Sequence, residues 1–182
     1  MTETIERTLE TTPVSADELV ELGLYPEPRS NIVLQAPTPN PEEVNSALTY
    51  YVHTGSVLDS RQRVVASLTA QILSEPAFNI LRTREQLGYI VSCTEWQLPG
   101  ASERGLRVAI QSERAPAYLE ERVEAFFEEM KGKILEMEDA EFQDQRDGLE
   151  KKWREKAKNM SEETNRFWPH IDSGYLDFLR RE

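Results

Sequence analysis

The stretch that decides the fold runs Pro76-Ala77-Phe78-Asn79-Ile80-Leu81-Arg82-Thr83-Arg84-Glu85-Gln86-Leu87-Gly88-Tyr89-Ile90-Val91. Pro76 suits the first turn of a helix, where the N–H it lacks would have no intrahelical partner. Phe78, Leu81 and Glu85 follow at helical spacing, and Gly88 is the residue type that most often supplies a left-handed helix stop. Tyr89-Ile90-Val91 is aromatic and β-branched, which favours a strand. The segment is therefore expected to be helix, tight stop, strand. Arg82 and Arg84 fall near the helix end and Tyr89 at the head of the strand, and such a junction beside rigid elements is a common place to present side chains to a partner.

Working outward, Asn31 to Gln35 has strand composition, and Pro37, Pro39 and Pro41 make a stiff connection after it. Asn45 to Thr54 is a second expected strand. Gly55 to Asp59 turn the chain, with Asp59 or Ser60 as the helix N-cap. Val64, Val65, Leu68, Ile72 and Leu73 fall on one face of the helix that follows. Ser74-Glu75-Pro76 is expected to restart the chain for a second helical piece. Beyond residue 95, Pro99-Gly100 marks a hairpin loop. Gly105 to Glu113 then alternates, with Leu106, Val108 and Ile110 on one face and Arg107 and Gln111 on the other.

Leu119, Val123, Phe126, Phe127, Met130 and Ile134 form the apolar stripe of the next helix. Another helix is expected over 139–158, with Phe142, Leu149 and Trp153 on a narrow face. Ser161 is the expected cap of a last one carrying Phe167, Trp168, Ile171 and Tyr175. Residues 1–28 form an acidic segment expected to be disordered or weakly structured, apart from a short helix over 16–24. The order of elements over 29–182 predicts an α+β domain: an antiparallel sheet of about four strands covered on one face by helices.

At 182 residues and 38% apolar content the chain can bury one sizeable core. No apolar run approaches the roughly 20 residues of a membrane helix, so no membrane partner is expected. The N-terminal residues are acidic and lack an apolar signal core. A single cysteine, Cys93, cannot form an internal disulfide and suits a reducing compartment, so a cytoplasmic location is expected, with the mitochondrion as the alternative. The net charge of −12 argues against nucleic acid as a partner, because binding phosphates requires an excess of Lys and Arg. The charge is uneven: residues 113–150 hold thirteen acids against five bases, and 151–170 hold six bases against three acids. Such runs most often make solvated helix faces.

The words of the central stretch carry a resemblance. Phe78 to Val91 resembles the F-N-x-L-R-T-K-E-Q-L-G-Y-I-V run of the insulin-degrading enzyme and pitrilysin family, with Arg84 in place of the usual Lys. Leu73 to Phe78 is similar to the family's I-S-E-P-C-F, Gly105 to Glu113 to G-L-R-F-I-I-Q-S-E, and Pro116 to Phe126 to P-x-Y-L-E-x-R-V-E-A-F. The likeness covers roughly 29–175. It implies a C-terminal-lobe domain of an inverzincin zinc metallopeptidase, with this stretch on the wall of a peptide chamber. The family domain continues with another helix and a closing strand, so the sheet is expected to be truncated. The resemblance also gives Arg82 and Tyr89 the family's contacts to the substrate and transition state. An Arg offers fixed donors to a peptide carbonyl or a developing oxyanion, and a Tyr hydroxyl adds one more.

The catalytic parts of such an enzyme are not in this sequence. H-x-x-E-H puts two His ligands and a Glu base on one helix, whereas His53 and His170 stand alone. Cys93 lies mid-strand without a base beside it and reads as a small core residue. No metal and no cofactor are therefore expected on this chain; zinc is expected on the missing catalytic domain. The expected partners are a peptide substrate and the zinc-bearing half of the enzyme, in the same or a separate chain. The alternative is a stand-alone peptide- or protein-interaction module that has lost the zinc site. A plainer role for the two residues is an Arg82–Glu85 pair at i, i+3 and a Tyr89 that packs as a strand aromatic.

Overall fold

The structure is a computed structural model that describes residues 7–9, 31–98, 103–172 and 178–179. The chain divides into two units, Met1–Ile32 and Val33–Glu182. In the first, residues 7–9 make a helical turn inside the stretch expected to lack structure, and the expected helix over 16–24 lies outside the described residues. Pro99, Gly100 and Tyr175 also lie outside them.

The second unit holds β1 (Ser46–Ser56), α1 (Ser60–Ala77), a π-helix (Phe78–Arg84), β2 (Ile90–Gln97), β3 (Glu103–Ser112), α2 (Pro116–Leu135), α3 (Asp139–Arg154) and α4 (Met160–Asp172). The sheet has three strands in the order β1-β3-β2, with β3 antiparallel to both neighbours. The α+β class stands, but the expected strand over 31–35 does not form. Those residues pair with no strand among the described residues, and Leu34 is 91% exposed. Strand composition alone cannot supply a ladder partner, and the prolines at 37, 39 and 41 free this segment from the hairpin geometry that would bring one.

Register explains why one face of the sheet is the core. Leu48, Ile110 and Val91 form one row across the three strands, and Tyr50, Val108 and Cys93 form the next. Period-2 alternation sends all six to the same side. There they meet Leu73, Ala77, Ile80 and Leu81 from the first helical stretch and Leu119, Val123, Phe126 and Met130 from α2. Leu81, Val108, Leu119 and Val123 are fully buried. Burying each such side chain stabilises by about 1.5–3 kcal/mol. The α2 stripe is as its spacing predicts.

Asp59 caps α1, its carboxylate accepting from the backbone N–H groups of Arg61 and Gln62 at 2.8 and 3.2 Å. The buried face of α1 keeps Ile72 and Leu73 of the expected stripe but turns away from Val64 and Val65. Arg63, Ala66, Ser67, Ala70 and Leu73 face inward, while Val64 and Val65 are 38% and 55% exposed. Alanines and a serine let the helix approach the strands closely, and the two polar residues find partners. Ser67 donates to Glu95 at 2.8 Å, and the Arg63 guanidinium donates to the Val57 carbonyl at 2.6 Å. Glu95 also pairs with Arg104 at 2.7 Å, an ion pair that offsets the charge of a carboxylate standing on the helix side of β2. By length and composition Ser60–Arg84 could cross a membrane; here it is the core helix of the sheet.

At α4 the cap is Asn159 rather than Ser161. Its carboxamide oxygen accepts from Glu162 N–H at 2.9 Å, and the Glu162 carboxylate reaches back to Asn159 and to Lys158 N–H. This is a variant of the capping box, the inner carboxylate answering the cap's side chain and the backbone N–H one residue before it.

Burial pushes the Cys93 thiol up to about 11, and burial with the nearby Glu103 carboxylate pushes the Tyr51 phenol up to about 12. The fold holds both neutral. The stability they contribute is complete below their ordinary values of 9.0 and 10.0 and is lost as pH rises through the folded values. Urea-unfolding midpoints are therefore expected to fall between about pH 9 and pH 12. Cys93 accounts for on the order of 2–3 kcal/mol of that loss once it ionises, and Cys93→Ala should flatten the lower part of the curve. At pH 8 the native thiol should resist a disulfide reagent that labels it fully in denaturant.

Candidate functional site

α1 does not stop at Ser74-Glu75-Pro76. Pro76 lies in its last turn, and the chain continues as a π-helix over Phe78–Arg84. The missing N–H of Pro76 leaves one rung of the α ladder unmade, and two residues later the turn has widened to i→i+5 bonding. Glu85 N–H closes it on the Ile80 carbonyl at 2.9 Å, and Leu87 N–H reaches the Leu81 carbonyl at 3.0 Å. Arg82 and Arg84 project from this wider turn.

The left-handed residue that follows is Gln86, with φ of 53°, and not Gly88. Gly88 is required for a different reason. A Cβ there would lie 1.8 Å from the backbone oxygen of Gln111, because the chain enters β2 pressed against the end of β3. The sequence put a glycine correctly at the corner and assigned it the wrong duty.

Arg82 and Tyr89 are brought together. Arg82 Nε donates to the Tyr89 carbonyl at 3.0 Å, and the guanidinium carbon lies 4.6 Å from the Phe78 ring centre and 5.1 Å from that of Tyr89. Each such contact between a cation and a ring is worth about 0.5–1 kcal/mol at a surface. The two terminal nitrogens of Arg82 and the Tyr89 hydroxyl bond to no described residue. Tyr89 is 84% exposed, so it does not pack as a strand aromatic. The i, i+3 pair of Arg82 with Glu85 does not form either.

The other corner arginines are committed. Arg122, from α2, donates through Nε and Nη2 to the two oxygens of Glu85, each at 2.8 Å, and this pairing raises the Arg122 pKa. Arg84 pairs with Glu129 at 3.1 Å, and Lys133 does so at 2.8 Å. These two hydrogen bonds, Lys133 first, hold Glu129 below the usual carboxylate range. The corner thus carries three arginines, two neutralised and one with its donor fork open.

Arg122 and Phe78 were absent from the site as read from sequence. Phe78 could have been found, since a ring four residues before an Arg on a helix covers it. Arg122 lies 37 residues from Glu85, and no local pattern signals that pairing.

The described residues do not fit a zinc site. His53 is bonded to Glu103 across β1 and β3, His170 is buried beside the Phe178 ring, and Cys93 is in the core. No group of three or more His, Cys, Asp and Glu among the described residues is placed to hold a metal ion.

Residues 68–168 match the family described as PQQ synthase PqqF-like, C-terminal lobe domain 4. The chain is 35% identical over 181 residues, 99% of its length, to mug138 of Schizosaccharomyces pombe, a protein named as a zinc protease, and covers 18% of it. It is 39% identical over 136 residues, 75% of its length, to human insulin-degrading enzyme, of which it covers 13%. The crystal structure of pitrilysin superposes on 77% of the chain with a TM-score of 0.64 at 29% identity, the match covering 15% of pitrilysin. The chain therefore spans less than a fifth of each of these relatives.

The two corner residues should respond oppositely to exchange. Gly88→Ala must push backbone apart and is expected to destabilise by about 2 kcal/mol or more. Gln86→Gly relieves a left-handed side chain at some entropic cost and should stay within about 1 kcal/mol of the parent. Urea unfolding of the two variants measures both.

Proposed function

We propose a function from one premise: the chain belongs to the PqqF-like C-terminal-lobe domain 4 family, the C-terminal domain of pitrilysin-type zinc proteases. In this reading it is a noncatalytic domain that lines the peptide chamber of an insulin-degrading-enzyme-like zinc metalloendopeptidase. Arg82 and Tyr89 reach a peptide held at a zinc site on another domain or chain. The metal, its ligands and its general base all come from outside the residues described here.

The observation that carries the reading is the open fork of Arg82. Its two neighbouring arginines are spent on carboxylates, whereas its own terminal nitrogens have no protein acceptor among the described residues. Two aromatic rings and a backbone oxygen hold the cation in place, so its remaining N–H groups keep a fixed direction. A peptide carbonyl oxygen, or the oxyanion it becomes, suits those donors, and the Tyr89 hydroxyl adds a neutral one. The gain comes from donors already oriented before charge develops.

The test uses a quenched fluorescent peptide. The purified chain with zinc is expected to show no turnover, and chelator-sensitive cleavage by it alone would refute the proposal. With an H-x-x-E-H partner present, Arg82→Ala should lower kcat about 100-fold, equivalent to about 3 kcal/mol, with a smaller effect on KM. Tyr89→Phe should lower kcat about 10-fold.

A further inference from the structure

Arg82 and Tyr89 stand on opposite sides of a turn, joined by the bond from Arg82 Nε to the Tyr89 carbonyl. The turn passes through Glu85, Gln86 and Leu87, with Gln86 left-handed and Leu87 buried. A side chain in that conformation persists only where its surroundings over-determine it. Leu87 is held by the core and by its bond to the Leu81 carbonyl. Glu85, immediately before the strained residue, is held by Arg122.

Arg122 is well placed to be a fixed post. Leu119 and Val123, three residues before and one after it on α2, are fully buried against the sheet. Its Nε and Nη2 meet both Glu85 oxygens at 2.8 Å, and a two-point bond sets direction as well as distance. The Glu85 side chain is 16% exposed and that of Arg122 is 35% exposed. A pair this near the surface contributes little to global stability, whereas the core around Leu81 and Leu119 is independent of it.

Resting on the reading of Arg82 and Tyr89 given above, we infer that Glu85 and Arg122 are positioning residues for them. The ion pair ties the end of the π-helix to α2, fixes the left-handed turn at Gln86, and so keeps the Tyr89 carbonyl under Arg82 Nε. Without it the guanidinium loses its backbone anchor and its fork loses direction. Misplacing a catalytic group by about 1 Å can cost on the order of 100-fold in rate.

The readout that a merely structural pair would not move is the Arg82 Nε–H itself, followed by 15N NMR of the full 182-residue chain. In the parent it should exchange slowly with solvent because it donates to Tyr89. Glu85→Gln should speed that exchange about 10-fold or more while the chain stays folded, and the charge swap of Glu85→Arg with Arg122→Glu should slow it again. Unchanged exchange in folded Glu85→Gln overturns the inference. Should that variant not fold, Arg122→Lys, which keeps the charge and loses the two-point fork, is read the same way: faster exchange supports the inference and unchanged exchange overturns it.

Peptide turnover with the H-x-x-E-H partner separates this inference from the proposed function. Glu85→Gln should lower kcat about 10-fold or more in the parent and not at all in an Arg82→Ala background, and an equal loss in both overturns it. If Arg82→Ala leaves turnover unchanged, the proposed function fails, while the exchange measurement still decides whether Glu85 and Arg122 hold Arg82.

Discussion

The chain has to pass from helix to strand in five residues while lying hard against the end of the central strand. That constraint governs the rest of the domain. Gly88 sits where any Cβ would strike the Gln111 carbonyl, so the corner cannot be moved outward or given bulk. Upstream, Ile80 and Leu81 plug the core beneath it; downstream, Val91 and Cys93 continue the same apolar row along β2. The helix accommodates the tight exit by widening into a π-turn, and Gln86 takes up the left-handed twist. Strain is thus concentrated at one surface corner whose two flanks are deeply anchored.

This arrangement gives the corner its chemical character. Three arginines crowd the junction and its neighbouring helix, and acidic residues of α2 and the corner neutralise Arg84 and Arg122. Arg82 is treated differently, being held by a backbone oxygen and two aromatic rings that leave its charge unquenched. A cation fixed by neutral groups is a better electrostatic donor than one shared with a carboxylate. In the proposed function, membership of the pitrilysin-type family supplies the peptide that such a donor would meet.

Periodicity is reliable where apolar residues repeat without competition from neighbouring positions. The α2 stripe and the β3 alternation were legible because their apolar residues repeat at 3.6 and 2.0 without conflict. On α1 the expected face holds at Ile72 and Leu73 but not at Val64 and Val65, which weigh more on any hydrophobicity count than the buried Ala66, Ser67 and Ala70. Close packing on a sheet favours small residues; Arg63 finds the Val57 carbonyl in the turn before the helix, whereas Ser67 gains Glu95 only once β2 lies alongside. The segment over 31–35 failed for the complementary reason: strand propensity expresses itself only when another strand lies alongside.

By itself the sequence determined the α+β class, the sheet face that becomes core and the position of the corner. Those are local or periodic properties, written in residues a few positions apart. The tertiary structure alone decided that Gln86 and not Gly88 turns left-handed, that Glu85 answers Arg122 rather than Arg82, and that Arg82 keeps open donors while Arg84 and Arg122 are spent on carboxylates. Each of those depends on groups brought together by the sheet and α2, and contacts between residues distant along the chain leave no trace in its local pattern.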